Sequence, residues 1–326
     1  MADQNPIIVF TGESEWCSLI ARGLRLYGDL PVVTSAFDRA SDALSARRWL
    51  LLASADVIVR VGMRPGARTL RGRGLDFGIH LMRAAHPGQQ AVYYWIGTDV
   101  MNMLRDVRDD TAPYWLRHEL STSAHFSVSE SLSDELREVD VSAEFMPFPF
   151  RGMPAHDMPP PLPKRFTVLT YIPEGRADFY GESDILAVAR ALPEVDFRVM
   201  GSPGAGDGTT LKNVEYLGRV EDPSPLFASA SCVVRMTEHD GAGGTVLEAL
   251  SYGRPTIYSR AQEGVIFVQF GDVKGLLREI SQLKLAHDAG TLTVNEATAA
   301  RTRAVYDPET CFRHMANRLR LIASSS

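Results

Sequence analysis

Cysteine is scarce: Cys17, Cys232 and Cys311 are the only three in 326 residues, and their spacing fits neither a disulfide framework nor a metal knuckle. The odd count and wide separation favour reduced thiols in a cytosolic, cytoplasmic setting. Long apolar runs are also missing. No stretch reaches the roughly 20 residues needed to cross a bilayer, and Met1 to Phe10 lacks the basic start and apolar centre of a secretory signal. No basic amphipathic helix stands out, which argues against strong membrane attachment and leaves peripheral contact open. Positive charge is not in excess either. With 34 Lys and Arg against 40 Asp and Glu the net charge is −6. That excludes a nucleic-acid protein relying on general phosphate attraction, while allowing a local basic site. There is no solenoid repeat.

What is present is an ordinary globular composition, 45% hydrophobic and 23% charged, on a chain long enough for two α/β domains. Short apolar runs alternate with helical patterns. Strands are predicted at residues 6–10, 30–34, 55–61, 90–96 and 123–128, with helices at 15–27 (stopping at Gly28), 42–53, 75–85 and 131–138. A second series places strands at 166–171, 196–200, 214–217, 231–235 and 255–259, and helices at 183–192, 223–230, 244–252 and 310–323. This alternation implies βαβ units and open, mostly parallel sheets. Between the series, seven prolines fall in residues 147–164 (Pro147, Pro149, Pro154, Pro159, Pro160, Pro161, Pro163). Proline at that density prevents regular hydrogen bonding and stiffens the chain. The expected organisation is therefore an N-terminal Rossmann-like domain over 1–150, a linker over 151–165, a second domain over 166–305, and a final helix over 306–326 that crosses back to the N-terminal domain. Two doubly wound α/β domains facing a central cleft follow, with ligands outside the carboxyl ends of the strands.

The strongest chemical signal is Thr237-Glu238-His239-Asp240-Gly241-Ala242-Gly243-Gly244-Thr245-Val246-Leu247-Glu248. A carboxylate precedes a Gly-rich loop, and a second lies eight positions on, in the first turns of a helix. Such a loop lets backbone N–H groups approach phosphates, and the helix N-terminus favours anions. The two carboxylates can accept hydrogen bonds from sugar and ribose hydroxyls.

Together with Asn213-Val214-Glu215-Tyr216-Leu217-Gly218-Arg219-Val220 and Ala249-Leu250-Ser251-Tyr252-Gly253-Arg254-Pro255, this stretch resembles the C-terminal half of GT-B fold glycosyltransferases. It is most similar to retaining enzymes of glycosyltransferase family 4. The resemblance covers roughly residues 166–262 and is weaker over the N-terminal half, where Tyr94 to Asp99 and Phe126 to Ser129 look like family segments. It implies a nucleotide-diphosphate sugar donor, no divalent metal or other cofactor, and hexosyl transfer with retention to a hydroxyl of a small-molecule, lipid-linked or glycan acceptor. The family's paired acids fall on Asp240 and Glu248, with Asp where Glu is usual. The family's diphosphate-binding Arg falls on Arg176. Its Lys is absent, and Tyr180 stands near that place. Arg235 is a candidate replacement for the missing charge.

The remaining candidates divide between function and plain structure. Glu248 serves the ribose or merely suits a helix start. Asp240 binds donor and takes part in catalysis, or forms an Asx turn. Gly218, Gly241, Gly243, Gly244 and Thr245 admit the donor or are ordinary turn residues. Arg176 is bidentate on phosphate or solvated. Arg235 binds phosphate or pairs with Glu238 or Asp240. Asp99 acts on the acceptor hydroxyl or caps a helix. Gly12 and Glu13 approach the diphosphate or only end a strand. His239 reads as a loop residue. Trp16, Trp95, Trp115 and Tyr114 form a sugar-stacking wall or are core. Two alternatives to transfer stay open: a sugar-nucleotide epimerase on the same scaffold, and a degenerate binding protein without chemistry.

Overall fold

The computed structural model describes residues 6–63, 70–149, 158–204 and 211–325. The chain forms two compact units, Met1–Pro149 with Tyr306–Ser326, and Phe150–Val305.

Unit 1 contains β1 (Ile8–Gly12), α1 (Ser14–Tyr27), β2 (Val33–Ala36), α2 (Ala46–Ala53), β3 (Val57–Val61), α3 (Leu70–Ala85), β4 (Gln90–Trp95), α4 (Thr98–Arg108), α5 (Tyr114–Thr122), β5 (Ala124–Ser127), α6 (Glu130–Arg137) and β6 (Glu144–Phe145). Its sheet runs β2-β1-β3-β4-β5-β6, each pair parallel. β1 and β3 are buried along their whole length, as expected for strands covered on both faces. Each fully buried Val or Ile side chain contributes roughly 1.5–3 kcal/mol. Leu30 and Pro31 stay out of β2: the Leu30 N–H is bonded to Leu24 O at 3.2 Å, and proline has no N–H to offer. The helix predicted over 42–53 is split at Ser45, whose extended backbone separates a 3-10 turn (Ala40–Leu44) from α2.

Unit 2 contains β7 (Thr167–Tyr171), α7 (Glu182–Ala191), β8 (Asp196–Met200), β9 (Val214–Gly218), α8 (Ser224–Ala228), β10 (Cys232–Arg235), α9 (Gly244–Ser251), β11 (Thr256–Tyr258), β12 (Ile266–Phe267), α10 (Val273–Asp288) and α11 (Glu296–Val305). The strand order is β12-β11-β10-β7-β8-β9, again parallel. Within the unit this is the 3-2-1-4-5-6 order of a doubly wound sheet, with its reversal point between β7 and β10. Its core gathers Val168, Ile185, Phe197, Val234, Ile257 and Ile280.

The last helix, α12 (Pro308–Ala323), packs on α1. Gly23 permits the approach, since a Cβ there would sit 2.1 Å from the Phe312 ring. Residues 158–165 form neither helix nor strand and are tied to unit 2. Arg254 Nη2 donates to Pro160 O at 2.9 Å, and His287 Nε2 meets Pro163 O at 2.7 Å. The earlier part of the linker, 151–157, lies outside the described residues.

Candidate functional site

Loops leaving the carboxyl ends of β7 and β10 flank the reversal point of unit 2, where a doubly wound sheet takes its ligand. The β10 loop holds the Gly-rich motif. Its shape is fixed by bonds that start in the strands. Thr237 N–H donates to Ser259 Oγ at 2.8 Å, and Ser259 Oγ–H returns to Thr237 O at 2.7 Å. Thr237 Oγ1 donates to His239 O at 2.9 Å. The Glu238 N–H reaches Phe179 O at 3.0 Å, joining this loop to the one after β7.

Arg235 and Asp240 form an ion pair at the centre, Nε to Oδ2 at 2.5 Å, with side chains only 6% and 13% exposed. Burial would push the Asp240 carboxyl up, but Arg235 outweighs it, so the carboxyl is held below its usual range. Burial likewise opposes the charge on Arg235, and Asp240 more than offsets it, raising that group further. The Tyr258 hydroxyl also bonds Asp240, and the Gly241 N–H donates to Oδ1 at 3.0 Å. Burial first, and then the Asp240 charge, push the Tyr258 phenol up. The amide of Gly241 is therefore occupied by Asp240.

Gly243, the residue before helix α9, has φ +57° and no side chain to cap the first turn. A Cβ there would lie 2.9 Å from Tyr258 Oη, so glycine is required on two counts. Val246 and Leu247 N–H turn back to Gly243 O at 2.7 and 3.1 Å. Among the described residues, Gly244 and Thr245 N–H have no acceptor. Two uncapped amides at a helix N-terminus can receive an anion. Arg235 Nη1 approaches Thr245 Oγ1 at 3.5 Å, which brings the cation to that turn.

Arg176 is exposed on the loop after β7, its guanidinium over the Phe179 ring at 4.2 Å. Glu248 is half-buried one turn further along α9. Gly218 ends β9 with φ +62°; its N–H bonds Ser202 O at 3.1 Å and its carbonyl accepts from Gly201 N–H at 2.7 Å. The structure thus gathers Arg235, Asp240, Gly241, Gly243, Gly244 and Thr245, with Arg176 linked through an aromatic ring. Tyr258 belongs to the same cluster and is absent from the candidates read off the sequence; only the register that pairs it with Arg235 reveals it.

Asp99 and Gly12 belong to unit 1. Asp99 is 5% exposed in the first turn of α4, and its carboxylate accepts N–H bonds from Ile96, Gly97 (2.7 Å) and Val100 (3.0 Å). Burial still outweighs those bonds, raising it to about 6. Gly12 has φ +145°, and a Cβ there would meet Val61 O at 2.4 Å. The four aromatics have separate surroundings: Trp16 packs on Phe148, Trp115 on Phe77, Trp95 Nε1–H donates to His125, and Tyr114 is 84% exposed. A pocket of about 520 Å³ in unit 2 is lined by Leu250, Thr256, Ile266 and Asn295, at the end of β11 opposite Tyr258. Among the described residues no cluster of three His, Cys, Asp or Glu could hold a metal ion, and no helix is long and apolar enough to cross a membrane.

Residues 183–286 match the family model described as glycosyl transferases group 1. No curated protein sequence matches the chain. Among solved structures, the chain is similar to HepE of Anabaena in complex with UDP and glucose, at 13% identity over 96% of this chain and 99% of that one, TM-score 0.68. Sucrose-phosphate synthase of Thermosynechococcus elongatus aligns at 13% identity over 98% and 100%, TM-score 0.67. A glycosyltransferase of Rickettsia africae aligns at 9% identity over 99% and 100%, TM-score 0.67. The fold is that of GT-B glycosyltransferases.

Proposed function

We propose that the protein is a glycosyltransferase that moves a sugar from a nucleoside diphosphate to an acceptor hydroxyl, with retention and without a metal ion. The observation that carries this reading is the pair of unacceptored amides at Gly244 and Thr245, beside the buried Arg235–Asp240 pair at the reversal point of a doubly wound sheet. The group 1 match spans the same loop and helix, and the similar HepE structure holds UDP and glucose.

In this mechanism the α9 amides and Arg235 receive the diphosphate, and Arg176 adds charge from the β7 loop. Glu248 accepts from the ribose hydroxyls. As the bond from anomeric carbon to phosphate oxygen lengthens, negative charge grows on the leaving diphosphate. Fixed donors then bind it more strongly than in the ground state, which lowers the barrier. The acceptor hydroxyl attacks the face the diphosphate leaves, and a departing phosphate oxygen takes its proton. Asp240, already held by Arg235, Tyr258 and Gly241, organises the loop around that event.

Incubating purified protein with UDP-, GDP-, ADP- and dTDP-sugars, with and without chelator, tests the reading. Release of nucleoside diphosphate by hydrolysis or transfer, unaffected by chelator, is the expected result. Binding without release points to a non-catalytic sugar-nucleotide protein. Conversion of one sugar nucleotide to another without acceptor points to an epimerase.

A further inference from the structure

Tyr180 stands where two cations converge. The Arg176 guanidinium lies 5.2 Å from the centre of its ring and the Arg235 guanidinium 5.0 Å. Arg176 also covers Phe179 at 4.2 Å, and Arg235 lies 5.8 Å from the Tyr171 ring. Tyr180 is 8% exposed and belongs to the unit 2 core, so packing fixes its ring. A short 3-10 turn, Asp178–Tyr180, presents it, and that turn accepts the Glu238 N–H of the donor loop. Ring, cations and loop are one packed assembly.

Two guanidiniums sharing a site repel each other. An aromatic face carries negative potential, so it attracts both and lessens that cost. It also limits the rotamers of the exposed Arg176, so less freedom is lost when an anion arrives. We propose that Tyr180 is a positioning residue for the donor diphosphate: its ring aligns Arg176 and Arg235 as a cation pair. This rests on the transferase reading and adds to it a residue that touches no reacting atom.

Titration calorimetry with UDP, GDP, ADP and dTDP, each beside its monophosphate, decides the matter. Tyr180→Phe keeps the ring and is expected to bind the preferred diphosphate within about twofold of wild type. Tyr180→Met is expected to weaken that diphosphate about tenfold while changing the monophosphate less than about twofold. Placed in an Arg176→Gln background, Tyr180→Met is expected to add less than it costs alone, because part of its effect runs through Arg176. A general structural role would weaken both nucleotides alike. Unchanged diphosphate affinity in Tyr180→Met, equal loss for both nucleotides, or an undiminished effect in the Arg176→Gln background each overturns the proposal while leaving the transferase reading in place. If no diphosphate binds wild type, the donor site itself is refuted and Tyr180's role with it. Should Tyr180→Met fail to fold, Tyr180→Leu takes its place with the same selective loss expected, and the absence of that loss refutes the assignment.

Discussion

Removing Arg235 is the sharpest test of how the loop is held. Arg235→Met leaves the Asp240 carboxylate 13% exposed, with the Tyr258 hydroxyl and Gly241 N–H as its remaining partners. Breaking one side of a buried pair costs about 3–5 kcal/mol, since the other charge stays desolvated. For a unit of this size that lowers the melting midpoint by about 6–20 °C. Replacing both partners restores neutrality, so Arg235→Met/Asp240→Asn is expected to recover more than half of the loss. The pH dependence follows from the same charges. In wild type the Asp240 pKa is depressed, so its contribution is present above the unfolded value and is lost as pH falls through the folded one. In Arg235→Met burial is opposed only by the Tyr258 and Gly241 hydrogen bonds, and the pKa is expected to rise above the unfolded value, so the folded state binds the proton more tightly than the unfolded state. The deficit relative to wild type therefore shrinks as pH is lowered from 7 towards 4.5. Urea unfolding of wild type, single and double variants at three pH values measures all of this. A single-variant loss below about 1 kcal/mol, or a double variant as unstable as the single, would refute the buried-pair argument.

Glu248→Gln is expected to weaken nucleoside diphosphate binding about tenfold, the worth of one charged hydrogen bond; calorimetry checks it. Gly243→Ala places a Cβ 2.9 Å from Tyr258 Oη at φ +57° and is expected to cost about 1–3 kcal/mol and disturb donor affinity, read from denaturant unfolding and nucleotide titration. Asp99, raised to about 6 by burial, makes folding less favourable as pH rises from about 4 to 6, because the unfolded chain ionises first. Asp99→Asn is expected to flatten that part of the stability–pH curve, and an unchanged slope would refute the assignment.

Local patterns read well where one element carries them. The Asp240–Glu248 spacing, the three glycines and the helix start all lie within one loop and its helix, so that loop and helix start are legible from neighbouring residues. Tyr258 is not, because it meets Asp240 only through the parallel pairing of β10 with β11 that sets Arg235 opposite Tyr258. The pairing of Arg235 with Asp240 has the same origin in the folded loop. In α11 alanine and threonine dominate and the apolar stripe is weak, so its helical period leaves little trace. Short edge strands such as β6 and β12, two residues each, owe their extension to neighbours and not to their own composition. In unit 1, Asp99 and Gly12 stand at the expected strand ends, yet their close contacts are with their own backbone surroundings.

Helix α12 joins α1 in unit 1, although all of unit 2 is translated between them. On the ribosome, the face of α1 around Gly23 and Leu24 must wait, uncovered, while about 280 further residues emerge between Tyr27 and Pro308, roughly 14–56 s at typical elongation rates. Unit 2, built from one uninterrupted stretch, has no such delay. Unit 2 can mature first, leaving unit 1 dependent on a segment translated after it. A stall or frameshift before α12 would yield chains whose unit 2 is sound but whose first helix is bare and prone to self-association.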